Sequence, residues 1–298
     1  MNQKQYPQRW TGRWADQQTF DSVYSTIPAA YQCYRDIIKD QKYEDPRSLI
    51  RSGFKVYGQV DEDGIIQEIF RRIGIKNHTF IEIGCGYGLE NNTRYLLKQG
   101  WSGIWIDGNQ ENINYINGNF LNSIGTRLEA KCCYINKDNV NSVIWPSSVI
   151  DDREIDFLSV DIDGNDYHVL SVIDQVNPRV IVVEYNAKFP PPFDWVMPYN
   201  SDHIFQGDDH FSASLTAYTR LMKSKKYSLV GCGIGGSNAY FVRDDFVDEE
   251  TFLAPFTDEF HYEPARYFLI FGFINELPGW NMAGWRAGPE RPEPVATD

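Results

Sequence analysis

Glu82, Gly84, Gly86 and Gly88 make the run E-x-G-x-G-x-G, entered from the apolar stretch 80–83. A second apolar stretch, 103–106, ends in Asp107. A strand, a glycine turn, a helix, a second strand and an acid suit a ligand that carries an adenosine. The glycines let the backbone pass close to such a ligand, and the acid accepts from both ribose hydroxyls. A dinucleotide fingerprint, G-x-G-x-x-G, would need a glycine at position 89, where the chain has Leu89. A nicotinamide coenzyme is therefore the alternative occupant of the loop.

Polar residues also close the later apolar runs: Asn136, then Asp161 and Asp163 in DIDG, then Glu184 and Asn186 in VVEYN. Ligands of open α/β sheets sit beyond the C-terminal strand ends. Asp161 is the first candidate for a catalytic carboxylate, as base or charge stabiliser, and Asp163 the second. Asp161, Glu184 and Asn186 offer the carboxylate and amide oxygens that a hard cation such as Mg2+ takes. Whether a base or a metal assists stays open at this point. The five histidines, His78, His168, His203, His210 and His261, have no metal-ligand spacing. His168 reads as a packing residue. His203 and His210 are candidate general bases, because imidazole titrates near neutrality. Gln59 and Thr93 beside the glycine loop, with Gly108 and Asn136 at neighbouring strand tips, complete the expected cofactor set.

The elements that must position these residues are legible as alternating runs. Strands are expected at 79–84, 103–107, 128–135, 155–161 and 180–186, and helices at about 89–99, 109–118, 138–146 and 165–176. Asp61, Asp63 and Gly64 before Ile65, Ile66, Ile69, Phe70 and Ile73 predict an N-capped amphipathic helix. Strands separated by helices imply right-handed crossovers and a parallel sheet covered on both faces. A helix at about 211–225 precedes 227–230, GCGIGGS and 238–243, which read as a hairpin. The fold class is thus α/β, a doubly wound, mostly parallel, seven-stranded sheet ending in an antiparallel hairpin. Residues 1–57 read as an aromatic-rich cap with a helix over 24–38, 58–245 as the core, and 246–298 as an extension whose end, 278–298, is expected to be partly mobile. The insertion 187–210, with Phe193, Trp195, Tyr199 and Phe205, would roof the acceptor site.

A net charge of -13 argues against nucleic acid and against anionic membranes as partners. No apolar run reaches the ~18 residues of a span, and the N-terminus lacks a signal-peptide core. Five cysteines without metal spacing suggest reduced thiols and a cytoplasmic setting. Cys85, without a neighbouring base, reads as a packing residue.

The run Glu82 to Gly88 resembles motif I of class I S-adenosylmethionine (SAM) methyltransferases, and the sheet closed by a hairpin resembles their fold with its reversed seventh strand. Three stretches in order, VYGQVDEDGIIQEIF, FIEIGCGYGLENNT and IDFLSVDIDGNDYHVL, resemble the FkbM-like methyltransferases over about 55 to 245. Gly58 stands where that family has Ser, and the third stretch departs around Val160 and at Asp166. The resemblance implies SAM as cofactor and methyl transfer. Because many members O-methylate sugars, it implies a hydroxyl acceptor on a small molecule, a sugar, nucleotide sugar or glycosylated precursor. Catechol-type O-methyltransferases are similar in layout, with an acid at the fourth strand tip and an Asp-Asn pair at the fifth; this chain has Glu184 and Asn186 around a tyrosine. An NAD-dependent oxidoreductase and a catalytically inactive SAM-binding partner subunit are the alternatives, and a homo-oligomer is left open.

Overall fold

A computed structural model of the chain describes residues 28–120 and 125–269. The parts of the expected N-terminal helix before 28, and the tail 278–298, lie outside the described residues; 28–37 are helical.

Seven strands form one sheet: β1 Thr79–Ile83, β2 Ser102–Asp107, β3 Leu128–Cys132, β4 Phe157–Val160, β5 Val180–Glu184, β6 Tyr227–Cys232 and β7 Asn238–Arg243. Their order is β3-β2-β1-β4-β5-β7-β6. Neighbours among β1 to β5 are parallel, while β7 runs antiparallel to both β5 and β6. This is the doubly wound sheet with a terminal hairpin that the sequence pattern implies. The order reverses between β1 and β4, which opens a crevice at their C-terminal ends.

After the helical residues 28–37, the α-helices are α1 Glu62–Ile73, α2 Arg94–Lys98, α3 Gln110–Asn119, α4 Val140–Ile144, α5 Asp166–Val172, α6 Leu215–Ser224 and α7 Asp258–His261. On one sheet face Phe80, Phe157, Val180, Val182, Tyr240 and Val242 pack against Ile65, Ile66, Ile69 and Phe70 of α1. On the other, Ile81, Leu158, Val160, Ile181 and Val183 pack with Val169, Leu170 and Tyr218 of α5 and α6. Burying each such side chain is worth about 1.5–3 kcal/mol. Strand side chains alternate between faces. Phe157 and Val182 therefore fix the parity of the polar strand ends: Asp161 beyond β4, Glu184 closing β5 and Asn238 opening β7 all belong to the α1 side.

Two local differences from the sequence reading have physical causes. Asp61 occupies the N-cap position of α1 without capping it; its carboxylate instead accepts from the Ile234 amide, 2.9 Å away in the β6–β7 turn. Asp63 Oδ2 takes three consecutive amides, Val56, Tyr57 and Gly58, at 2.6, 2.5 and 2.9 Å. These bonds tie segment 53–60 and the hairpin to the start of α1. The helix expected from 89 begins only at Arg94, because 89–93 wraps a buried carboxylate instead. Among the described residues no helix is long and apolar enough to cross a membrane.

Candidate active site

The three loop glycines do different work, although all have positive φ, 90°, 55° and 68° for Gly84, Gly86 and Gly88. A Cβ on Gly84 would collide with the carbonyl oxygen of Asp161, and one on Gly88 would lie 2.5 Å from the Trp105 ring. A Cβ on Gly86 would meet nothing within 4 Å. The first and third glycines thus serve the protein's own packing, and the second fronts open space. The Gly86 amide donates to Asp107 Oδ2 at 2.9 Å. Asp107 Oδ1 accepts from the Asn109 amide at 2.7 Å and from Asn112 Nδ2 at 2.9 Å. A carboxylate has about four acceptor positions, so one remains for a ligand hydroxyl. Gly108 follows, with the Tyr134 ring over it.

Glu82 is buried, at 2% exposure. Its carboxylate accepts from Asn91 Nδ2 at 2.5 Å, from the Asn92 and Thr93 amides at 2.9 and 3.2 Å, and from the Thr93 hydroxyl. Thr93 Oγ1 in turn accepts from Trp105 Nε1 at 2.7 Å. Glu82 and Thr93, both expected beside the cofactor, make these bonds inside the fold and shape 89–93. Asn136 closes a turn, with Oδ1 accepting from the Asp138 and Asn139 amides. Gln59 is half-buried, and its backbone carbonyl takes the Lys55 ammonium. Cys85 is buried and its thiol is pushed well up by burial, which agrees with a packing role.

Beyond β4 and β5, Asp161, Asp163 and Glu184 each present an oxygen, all within 4.8 Å of one another. The DIDG turn is closed by Asp166, which accepts from the Ile162 and Gly164 amides at 2.7 and 2.8 Å. Asp161 is therefore not consumed as a turn cap. Burial, then the neighbouring Asp163 and Asp166, hold the Asp161 carboxyl well above the usual carboxylate range. Burial, then Asp161 and Asp163, do the same to Glu184. Glu184 Oε2 is buried and has no hydrogen-bond partner. Asn186, expected as a ligand beside these acids, is placed otherwise. Its amide donates to the Asp209 and Phe211 carbonyls at 2.8 and 3.3 Å and accepts from the Lys188 amide at 3.2 Å, which staples the segment after β5.

Residues 77–227, half of the chain, match the Methyltransferase FkbM domain. The chain belongs to the FkbM methyltransferase family. It is accordingly a SAM-dependent methyltransferase, and that membership sets aside the nicotinamide reading. No curated protein matches it. It is similar to a SAM-dependent methyltransferase from Aquifex aeolicus, at 16% identity over 67% of this chain and 94% of that one, TM-score 0.36. It is also similar to a putative caffeoyl-CoA O-methyltransferase from Staphylococcus aureus, at 14% identity over 61% and 82%, TM-score 0.42. A third likeness is to magnesium protoporphyrin IX methyltransferase from Synechocystis PCC 6803 with bound SAH, at 12% identity over 73% and 96%, TM-score 0.42. At such scores these likenesses decide nothing about the acceptor.

In this FkbM methyltransferase the segment 187–210 is docked on the DIDG turn. His203 Nε2 lies 3.0 Å from the Asp163 carbonyl, and its ring fills the space that a Cβ on Gly164 would need. The Tyr134 hydroxyl donates to the His203 carbonyl. His203 is thus brought to the acids, and His210 is not: it is exposed, its ring edge-on to Trp195 at 5.9 Å. His168 packs, with Nε2 at 2.7 Å from the Met197 carbonyl. The roof aromatics divide. Trp195 stacks on Phe189 and Phe205 meets Phe211 edge-on, while Phe193 is 63% exposed.

Sequence reasoning missed two residues. Asn238, 4% exposed, is the register partner of Glu184. Its Nδ2 donates to Glu62 Oε1 at 3.2 Å, and its Oδ1 is buried without a partner. Glu62, 1% exposed at the start of α1, is among the charges that raise Asp161. The polar residue opening an otherwise apolar 238–242 was the visible signal; its meaning depends on which strand it pairs with.

Proposed function

We propose that this FkbM methyltransferase moves the SAM methyl group to a hydroxyl oxygen of a small, sugar-like acceptor. The observation that carries the reading is the position of Asp161. Its carbonyl meets Gly84 of the cofactor loop, and its carboxylate joins the acids at the tips of β4 and β5. The cofactor side fits SAM: Gly86 leaves room, and Asp107 keeps an acceptor position for a ribose hydroxyl.

SAM, when bound, supplies a methyl group on a cationic sulfur. The acceptor oxygen forms the new O–C bond as the C–S bond breaks, the C–S electron pair stays on sulfur as the neutral thioether of SAH, and the hydroxyl proton leaves to the acids. Burial and the neighbouring acids raise the proton affinity of the Asp161 carboxylate, the direction that a general base needs. Such a base contributes about 10²–10⁴-fold, and orientation of the acceptor supplies more. The same oxygens suit a hard cation. Exposed Phe193 on the roof supports an acceptor with an apolar face. Five free cysteines support a cytoplasmic setting, and the charge of -13 supports a partner that is neither nucleic acid nor anionic membrane.

The test is methyl transfer from isotope-labelled SAM to a panel of sugars and nucleotide sugars. Label recovered as a methyl ether, lost by about 10²-fold or more in Asp161→Asn with SAH binding intact, is the expected result. Label on nitrogen or carbon, or undiminished turnover by the variant, would overturn it.

A further inference from the structure

Three carboxylates crowd one strand edge, and a fourth polar side chain faces them. Asp161, Asp163 and Glu184 place oxygens within 4.8 Å of one another. In an antiparallel pair, directly opposite residues point to the same sheet face. Glu184 and Asn238 are opposite, so the Asn238 side chain stands beside the Glu184 carboxylate. Asn238 is 4% exposed, and its Oδ1 has no partner. Glu184 Oε2 is likewise buried and unpartnered. Because a carboxylate only accepts, the Nδ2 donation to Glu62 fixes which way the amide is turned and aims Oδ1 away from Glu62. Buried acceptors left without a donor cost about 1–3 kcal/mol each, and two of them on paired residues beside a cluster of carboxylates point to a positively charged ligand.

We propose that Asp161, Asp163, Glu184 and the Asn238 side-chain carbonyl hold one divalent cation of the Mg2+ or Mn2+ kind, with Glu62 as the positioning residue that orients Asn238. The donor set is all oxygen, three anionic and one neutral, which is the chemistry such ions take. The role of the ion deepens the methyl-transfer reading and rests on it: the acceptor hydroxyl completes the coordination, and its proton is lost more readily once its oxygen is metal-bound. The binding site itself is defined without that reading. Asn186, the neighbour that spacing alone favours, is the weaker candidate, because its amide already donates to two carbonyls and accepts from the Lys188 amide, whereas Asn238 Oδ1 has no partner.

The experiment is titration of Mn2+ into the full chain, followed by the paramagnetic resonance of free Mn2+ and by calorimetry, first without SAM and then with it. One ion per chain is expected, bound with or without SAM. Asn238→Ala and Asp163→Asn should each weaken it about tenfold or more with SAH binding unchanged. Asp163→Asn is the safeguard for folding, since φ of 53° is one that asparagine accepts. Glu62→Gln should weaken Mn2+ less than Asn238→Ala does. Absence of stoichiometric Mn2+ binding overturns the proposal. So does competitive displacement of Mn2+ by SAM, which would assign the acids to its ammonium group, and so does affinity indifferent to both Asn238 and Asp163. Mn2+ binding without methyl transfer to any hydroxyl would sink the O-methylation reading alone. Methyl transfer that survives chelation, in a protein that binds no Mn2+, would sink the metal site alone.

Discussion

Glu184 and Asn238 stand opposite each other where β5 meets β7, and each carries a buried oxygen without a hydrogen-bond partner. Nothing in the packing of the sheet asks for this. One residue lower, Val183 pairs with Ala239 and the ladder is apolar. The polarity begins where the strands end, which is where a ligand of this architecture sits.

The glycine loop separates into two positions that the fold needs and one that faces open space. Gly84→Ala should cost about 3 kcal/mol or more, because the Asp161 backbone cannot move aside. Gly86→Ala should cost only about 1–2 kcal/mol, the strain of a left-handed backbone, yet weaken SAH binding. Thermal unfolding and calorimetry with SAH read the two effects apart. Full SAH affinity in Gly86→Ala would place the cofactor elsewhere.

Thr93 should behave as a structural residue. Thr93→Val removes the hydroxyl shared by Glu82 and Trp105 and leaves the indole N–H without its acceptor. A loss of about 1–3 kcal/mol in denaturant unfolding is expected, with SAH affinity unchanged below the transition. A selective loss of affinity at full stability would restore Thr93 to the cofactor contacts.

Glu184 should make the metal-free protein less stable as pH rises. A carboxyl whose folded pKa is raised stabilises fully below its unfolded pKa, and that contribution disappears as pH climbs through the folded value. Glu184→Gln should therefore be more stable than the parent at pH 8 without metal, and the difference should shrink toward pH 4. Unfolding curves at both pH values in the presence of a chelator check this; equal pH slopes would contradict it.

His261 acts in the opposite sense. It is 8% exposed, and burial with the nearby Lys42 lowers its pKa to about 4. The unfolded chain then binds the extra proton between about 6.5 and 4, so the fold loses stability as pH falls through that window and is unaffected above it. The loss amounts to about 3 kcal/mol. Asp63 and Asp166, both raised to about 6, tilt the whole-protein profile the other way, so the comparison must be between parent and His261→Phe. The difference between them should change by that amount from pH 7 to pH 4.

Much of this was readable from residues alone. Apolar runs ending in Asp107, Asp161 and Glu184 located the strand tips, because a parallel sheet buries both faces and becomes polar only at its ends. The β6–β7 hairpin was visible from its glycine turn. What stayed hidden depended on contacts across the chain. Glu82 heads a motif that looks made for a ligand, but its carboxylate is encircled by 91–93. Asn186 has the right spacing from Glu184, but the segment after β5 claims its amide. Asn238 lies 54 residues after Glu184, and only the reversed direction of β7 sets them side by side.

The open space beside Gly86 has a practical corollary. On the proposed cofactor placement, an asparagine there would keep the backbone angle and take up space beside the donor, so a donor trimmed by a few atoms should fit better than SAM itself. On that placement, the loop holds one adjustable position through which the choice of methyl donor can be tuned.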